Sequence, residues 1–227
     1  MITVRTPLSG GTGILPEGLL EPRSVYRGGI FLLACASFIG LVLTLLRGLI
    51  VGAFLVFGIL SIYFYSTKIA NYGFGEILLV VKGTLIVVGT YYVQSLAFAT
   101  TPVLVGIIMG LLSSSALYVN QFPDFDADKQ CGRRNLVVRL GLRNAARVYV
   151  VYPVLSYGLL TVGVMMGCIP AIALLSAVAV PLFYRTFKML TYGNFDSLFP
   201  AMTQNVLGTR IVGIVVTLAY LVAGVFG

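Results

Sequence analysis

The chain is organised around one polar segment, Tyr118-Val-Asn-Gln-Phe-Pro-Asp-Phe-Asp-Ala-Asp-Lys-Gln-Cys-Gly-Arg-Arg-Asn-Leu-Val-Val-Arg-Leu-Gly141. Three of the seven acidic residues in the chain, Asp124, Asp126 and Asp128, lie here within a few positions of one another. Basic residues follow them closely: Lys129, Arg133, Arg134, Arg139, Arg143 and Arg147. Because nearly everything else is apolar, a polar segment of both signs calls for a chemical explanation before a packing one.

Composition around this segment places the chain in a membrane. Of 227 residues, 59% are hydrophobic and only 10% are charged, which is not the balance of an ordinary soluble domain. Apolar runs of about 20 residues, the length that crosses a bilayer, recur from end to end. The predicted fold class is all-α, a polytopic transmembrane helical bundle that forms a single domain over residues 1–227.

Residue usage excludes several kinds of site. Histidine is absent, so His-ligated haem, His-type zinc sites and imidazole acid–base catalysis are excluded. Cys35, Cys131 and Cys168 are far apart in the chain, and we expect small apolar side chains there rather than a disulfide framework. The net charge of +8 would suggest nucleic acid for a soluble protein, but the membrane context indicates no nucleic-acid partner.

Seven spanning helices are predicted, at 28–46, 48–65, 76–95, 101–119, 146–167, 169–187 and 206–226. Residues 1–27 are rich in Gly and Pro and predict a loop that runs into a helix start at Glu21 and Pro22. With seven spans, that loop and segments 66–75, 120–145 and 188–205 share one side of the membrane. Arg47 and Lys82 alone among the fifteen basic residues lie elsewhere. The positive-inside rule therefore predicts that 120–145 faces the cytoplasm, and we expect an integral protein of the plasma membrane.

The spacing of Asn120, Asp124 and Asp128 predicts a cation site. On a continuous α-helix these positions lie on one face, while Asp126 points roughly the opposite way. Carboxylates on adjacent turns repel each other and are costly near a membrane, and a divalent cation relieves both problems. Mg²⁺, which prefers carboxylates, water and phosphate oxygens, fits this set.

The basic residues that follow predict what the metal would carry. Lys129, Arg133 and Arg134 are candidates to bind the outer oxygens of a diphosphate. A diphosphate with a lipid tail suits a charged mouth that opens into an apolar helical cavity. With its charge neutralised, the diphosphate becomes a leaving group.

Three other interpretations account for this segment less well. A charged cytoplasmic loop would explain the arginines but not the register of the acidic residues. An EF-hand would need Gly at 129 and Glu at 135, where the chain has Lys129 and Asn135. A CDP-alcohol phosphotransferase would need an upstream Asp-Gly-x-x-Ala-Arg, which the chain lacks.

Together these residues resemble the UbiA superfamily of intramembrane prenyltransferases. Asn120, Asp124 and Asp128 match its second aspartate-rich motif, NxxxDxxxD, and residues 128–141 look like the usual continuation, with Asn135 where threonine is more common. The opening Arg5-Thr-Pro-Leu-Ser-Gly-Gly-Thr-Gly-Ile-Leu-Pro-Glu-Gly-Leu-Leu and Gly89-Thr-Tyr-Tyr-Val-Gln94 are similar to the 1,4-dihydroxy-2-naphthoate branch.

The resemblance implies roles for particular residues. Asp124 and Asp128 would be catalytic through Mg²⁺, in transfer of a polyprenyl group from a polyprenyl diphosphate to an aromatic acceptor such as dihydroxynaphthoate. Lys68 would bind diphosphate and Tyr65 would stabilise an allylic cation, although a snorkelling lysine and an interfacial tyrosine explain the same pattern. Gln94 is a candidate substrate-binding residue, with a helix-end or interhelical contact as its favoured alternative.

The resemblance also implies a difference in length. Members of the superfamily have nine helices and two aspartate-rich motifs, so the chain is expected to lack the first two helices and the first motif, as a fragment or a degenerate homologue. Hydroxybenzoate, homogentisate and glycerol-phosphate lipids remain possible acceptors. In the alternative class, a non-enzymatic transporter or lipid-binding protein, the polar segment would be a gate for an anionic ligand.

Overall fold

The computed structural model describes residues 13–15, 17–64 and 73–226. These residues form helices joined by short turns, and no strand occurs among them. The α-helices are α1 Pro22–Arg47, α2 Leu49–Phe64, α3 Gly75–Ser95, α4 Thr100–Asn120, α5 Phe125–Gln130, α6 Leu136–Leu140, α7 Leu142–Val148, α8 Val151–Met165, α9 Val180–Tyr192 and α10 Leu198–Phe226. Two 3-10 helices, Ala171–Ala179 and Phe195–Ser197, precede α9 and α10.

The helices confirm a polytopic membrane bundle. Six helical stretches of the described chain are long and apolar enough to cross a bilayer, with α7 and α8 counted as one stretch and the longer 3-10 helix joined to α9. The predicted span 48–65 corresponds to α2, which is apolar but shorter. The predicted start at Glu21 and Pro22 is confirmed, because Pro22 occupies the first turn of α1, where its missing N–H is not needed. Residues 22–27 therefore belong to a helix and not to the predicted loop.

The last predicted span began too late in the chain. Helix α10 begins at Leu198 rather than at 206, so Arg210 lies inside the helix and not at its end. The predicted loop 188–205 included Asn205, which is fully buried. Its amide is satisfied inside the protein, where Oδ1 accepts a 2.7 Å hydrogen bond from Tyr149 Oη and Nδ2 donates to Ser115 Oγ at 3.1 Å. Polar side chains with buried partners do not end a membrane helix.

Helix α4 lies at the centre of the core. It packs most extensively against α3 and also against α8 and α10. A methyl group at Gly110 would lie 2.6 Å from the Val80 carbonyl oxygen, and one at Gly106 would lie 2.8 Å from Thr84 Cα. The two glycines let the backbones of α3 and α4 touch, as in small-xxx-small membrane contacts.

Helices α1 and α2 form a peripheral hairpin. Helix α1 has no buried residue and packs against α2, where Gly40 faces Leu55. Helix α2 contacts α3 through the Phe54 and Tyr92 rings, whose centroids lie 6.4 Å apart in an edge-on arrangement. The bundle is therefore organised outward from the α3–α4 pair.

Candidate functional site

The polar segment begins where α4 is anchored to the rest of the bundle. Tyr118 is fully buried near the end of α4, and its hydroxyl donates a 2.9 Å hydrogen bond to the Ala145 carbonyl of α7. Its ring lies 5.2 Å from that of Tyr152 and 5.8 Å from that of Phe122. These contacts fix the position from which Asn120 and the following turn project.

The three predicted metal ligands do not share one continuous helix, which corrects the predicted column of side chains. Helix α4 ends at Asn120, residues 121–124 form a turn, and α5 begins at Phe125. The physical reason is Pro123, which has no N–H to donate to the Val119 carbonyl. Phe122 N donates to that carbonyl instead, at 3.2 Å, and the helical pattern resumes when Asp128 N donates to the Asp124 carbonyl at 2.8 Å.

The turn nevertheless places the motif residues at the boundary between protein and solvent. Asn120, Asp124 and Asp128 are half-buried, whereas Asp126 is exposed. The Oδ1 atoms of Asn120 and Asp124 are buried. Asp126 therefore differs from Asn120, Asp124 and Asp128 in its exposure to solvent, in line with the expectation that it points away from them.

Asp128 is held by two side chains that follow it. Its Oδ2 accepts a 2.7 Å hydrogen bond from Asn135 Nδ2, and its Oδ1 lies 3.1 Å from Arg133 Nη1. The Arg133 side chain is 62% exposed, and the ion pair on its own therefore contributes little. Arg133, predicted as a diphosphate ligand, is positioned here as a partner of Asp128.

Asn135 has a second contact that sequence reasoning missed. Its Oδ1 accepts a 2.9 Å hydrogen bond from Val138 N and caps the start of α6. Asn-x-x before a short apolar run is an N-cap signal that was available in the sequence. One side chain thus joins Asp128 to the fold of the following helix.

Glu76 is a further acidic residue near the motif that sequence reasoning did not single out. It lies in the first turn of α3, is only 5% exposed, and its Oε1 accepts a 2.7 Å hydrogen bond from Gln121 Nε2. Gln121 is the residue directly after Asn120. Nothing in the local pattern Phe-Gly-Glu-Ile indicates this contact, because the partners are 45 positions apart.

The other predicted diphosphate ligands remain solvent-facing or fall outside the described residues. Lys129 and Arg134 are exposed, and Lys129 Nζ lies 5.9 Å from the centre of the Phe125 ring. Tyr65 and Lys68 lie outside the described residues, as does most of the similar opening from Arg5. The described chain resumes at Gly73, whose φ of +76° suits glycine and where a methyl group would lie 3.3 Å from the Arg134 carbonyl oxygen.

Gln94 is not brought to the motif. It lies about 27 Å from Glu76 along the axis of α3, at about 1.5 Å per residue. Its Nε2 donates to the Thr90 carbonyl of its own helix at 3.3 Å, as the helix-end alternative predicts. A role for Gln94 in substrate binding therefore stays a prediction for a different part of the molecule.

Several cavities are lined by described residues, and three of them are considered in turn. One of about 740 Å³ lies at the end of α3 that carries Gln94, with Tyr91 and Tyr220 in its wall. An apolar cavity of about 440 Å³ lies between α8 and α9. A third, of about 390 Å³, contains Asp126 and Arg143. Asn120, Asp124 and Asp128 line none of these three, so the expected apolar cavity next to the ligands remains a prediction.

The donor set fits a hard divalent cation by its chemistry. All the candidate ligands offer carboxylate or amide oxygens, which Mg²⁺ prefers. The burial of the Asn120 and Asp124 Oδ1 atoms at the end of α4 supports this fit, because it keeps two ligand oxygens away from competing solvent. No cluster of three or more His, Cys, Asp or Glu side chains occurs among the described residues, so the amide oxygen of Asn120 would be needed to complete a protein set of three.

Comparison with known proteins gives an independent result. A family model described as the UbiA prenyltransferase family matches residues 13–207. A 1,4-dihydroxy-2-naphthoate octaprenyltransferase of Mycobacterium leprae (strain TN) is 31% identical over 222 residues, which cover 95% of this chain and 74% of that protein.

Two further relatives carry the same name. The protein from Mycobacterium tuberculosis (strain ATCC 25618 / H37Rv) is 32% identical over 145 residues, which cover 62% of this chain and 49% of the relative. The protein from Escherichia coli (strain K12) is 33% identical over 154 residues, covering 63% and 48%. The chain thus spans about half the length of these two relatives. No solved structure matches it.

Proposed function

The chain belongs to the UbiA prenyltransferase family, and from this premise we propose that it transfers a polyprenyl group from a polyprenyl diphosphate to an aromatic acceptor. The name shared by the relatives supports 1,4-dihydroxy-2-naphthoate as the acceptor. The observation that carries the proposal is the position of Asn120, Asp124 and Asp128, half-buried at one end of an apolar bundle. Oxygen ligands at that depth suit a lipid whose head group is a diphosphate.

Asn120, Asp124 and Asp128 would hold Mg²⁺. When bound, the metal would neutralise charge on the diphosphate and so make it a better leaving group. Asn135 and Arg133 orient the Asp128 carboxylate through their contacts of 2.7 and 3.1 Å. Lys129 and Arg134, exposed beside the motif, would bind the outer diphosphate oxygens.

The chemistry is an electrophilic substitution on the ring. The allylic C–O bond breaks, and its electron pair leaves with the diphosphate. A ring carbon of the acceptor attacks the allylic cation, and the ring then releases a proton, or carbon dioxide where the attacked carbon carries a carboxylate. The apolar helices would exclude water from the cation, and Tyr65 would stabilise it through its ring face.

We also propose that the site lies on the cytoplasmic side of the plasma membrane. Among the described residues, basic side chains cluster at the end of the bundle where α4 ends and α7 begins. This cluster supports the proposal, because basic residues favour the cytoplasmic side of a membrane. The diphosphate and the charged acceptor would then reach the site from the cytoplasm, while the prenyl tail lies in the bilayer.

The test is a transfer assay in lipid nanodiscs. The purified chain is supplied with geranylgeranyl diphosphate and 1,4-dihydroxy-2-naphthoate, with Mg²⁺ or with EDTA. We expect Mg²⁺-dependent release of diphosphate, with prenylated product detected by mass spectrometry. The same assay is run on a version of the chain that includes any coding sequence found in frame upstream of Met1. If both versions bind geranylgeranyl diphosphate but release no diphosphate from it, the proposed activity is contradicted and a lipid-binding or transport protein is favoured.

A further inference from the structure

Glu76 is a buried acidic residue for which the proposed chemistry has no use. Only 5% of its surface is exposed, and among the described acidic residues it is the only one that is buried. Removing a carboxylate from water is unfavourable unless it gains partners that an apolar side chain would lack. Its contacts should therefore explain why an acid is present at this position.

The carboxylate contacts the motif directly. Gln121 Nε2 donates to Glu76 Oε1 at 2.7 Å, and Gln121 follows Asn120 without an intervening residue. Ser114 Oγ of α4 donates to the backbone carbonyl of Glu76 at 3.1 Å, so Glu76 has one hydrogen bond to α4 and another to the turn that follows it. Only the second of these involves the carboxylate.

The turn that receives this contact has lost its helical hydrogen bonds. Pro123 cannot donate to Val119, and the bonds that replace the helical ones are long, at 3.2 Å from Phe122 N and 3.3 Å from Phe125 N. The relative positions of Asn120 and Asp124 therefore depend on side-chain contacts to neighbouring helices. The Glu76–Gln121 hydrogen bond is such a contact, within the turn itself.

We propose that Glu76 is a positioning residue for the cation site, which through Gln121 fixes the turn between Asn120 and Asp124. This inference rests on the proposed function, because it assumes that those two residues bind the cation. Glu76 itself would not touch the metal or the diphosphate. Geometry, and not charge, is what the contact supplies.

The distinction between geometry and charge can be tested with matched variants. Glu76→Gln retains an amide oxygen for Gln121 Nε2 and adds a donor for the buried Gln121 Oε1, whereas Glu76→Ala removes the contact. Gln121→Ala removes the same contact from the less buried partner, in case Glu76→Ala does not fold. Ser114→Ala is the control, because it removes the other hydrogen bond to Glu76 and leaves the carboxylate in place.

The quantity measured is the affinity for Mn²⁺. Electron paramagnetic resonance detects Mn²⁺ binding to the protein in nanodiscs, with no substrate present. We expect Glu76→Gln and Ser114→Ala to bind Mn²⁺ within about twofold of the wild type. Glu76→Ala and Gln121→Ala should bind about 10-fold more weakly, in the range typical of residues that orient metal ligands. The double variant Glu76→Gln with Gln121→Glu, which reverses the pair, should also bind Mn²⁺ within about twofold of the wild type.

Three results would overturn the inference. Unchanged Mn²⁺ affinity in both Glu76→Ala and Gln121→Ala would show that the contact does not position the site. Loss in Glu76→Gln equal to that in Glu76→Ala would show that the negative charge is required, as for a direct ligand. Equal loss in Ser114→Ala would indicate general packing. Failure of the wild type to bind Mn²⁺ would instead contradict the proposed function itself.

Discussion

Asn135 links Asp128 to the start of α6. Its Nδ2 lies 2.7 Å from Asp128 Oδ2, and its Oδ1 accepts a 2.9 Å hydrogen bond from Val138 N. The amide uses its donor for the carboxylate and its acceptor for the helix, so neither contact competes with the other. The orientation of the last motif acid therefore depends on the folding of the helix that follows it.

The two contacts of Asn135 can be separated by substitution. Asn135→Ser keeps a hydroxyl that can cap α6 but is too short to contact Asp128. Asn135→Ala removes both the cap and the contact with Asp128. We expect prenyl transfer to fall about 10- to 100-fold in both variants, as for other residues that orient metal ligands. Only Asn135→Ala should also lose stability, by about 0.5–2 kcal/mol for the missing cap. Thermal unfolding and the transfer assay check this, and full activity in Asn135→Ser would contradict the role assigned to Asn135.

The motif acids should differ in their sensitivity to substitution. Asp124→Ala and Asp128→Ala should abolish prenyl transfer, with a loss of at least about 100-fold, because each removes a proposed metal ligand. Asp126→Ala is the matched control, since Asp126 is exposed and lines a separate cavity with Arg143. Activity is measured as Mg²⁺-dependent diphosphate release. If either ligand variant stays within a few-fold of the wild type, the assignment is wrong.

Sequence reasoning predicted the helical membrane fold because hydropathy depends on local composition. It did not predict the break after Asn120, although Pro123 lies in the middle of the motif and removes a helical donor. Glu76 was beyond its reach, because its partner Gln121 comes close only when α3 and α4 pack. The late start predicted for α10 had a similar cause, since the partners of Asn205 are buried and distant in sequence. Local pattern thus predicted the helices, and tertiary contacts decided their ends.

The contact between α3 and α4 leaves no room for a side chain at Gly110. Gly110→Ala would place a methyl group 2.6 Å from the Val80 carbonyl oxygen, so the helices must separate. We expect a loss of about 1–3 kcal/mol in stability, as for other overpacked positions. Gly158→Ala is the control, because an added methyl group there meets nothing within 4 Å. Thermal unfolding in detergent distinguishes the two, and equal melting temperatures would contradict the close packing of α3 and α4.

The Tyr149 hydroxyl offers a test of the buried polar contacts. Tyr149→Phe removes its 2.7 Å hydrogen bond to Asn205 while keeping the ring. We expect a loss of about 0.6–1.7 kcal/mol, the range for hydrogen bonds between membrane helices. Tyr184→Phe, at an exposed tyrosine, should have no measurable effect. A loss in both variants, measured by thermal unfolding, would point to a general effect of removing tyrosine.

The orientation of the bundle can be measured with native and introduced cysteines. Cys131 is exposed just after α5, and Met166 is 61% exposed at the far end of α8. In a background with Cys35 and Cys168 replaced by alanine, Cys131 should react with an impermeant maleimide in inverted vesicles but not in intact cells. A variant that carries Cys131→Ala and Met166→Cys should show the reverse. Labelling of Cys131 from outside would contradict a cytoplasmic site.

The close approach of α3 and α4 has a consequence for biogenesis. The two helices are consecutive in the chain and are separated only by residues 96–99, so they can associate as soon as the second has left the translocon. Glycine backbones at their interface need no search among rotamers, which favours early association. We therefore expect this hairpin to be the nucleus on which the later helices assemble. Helix α1, which has no buried residue, should contribute least to this assembly.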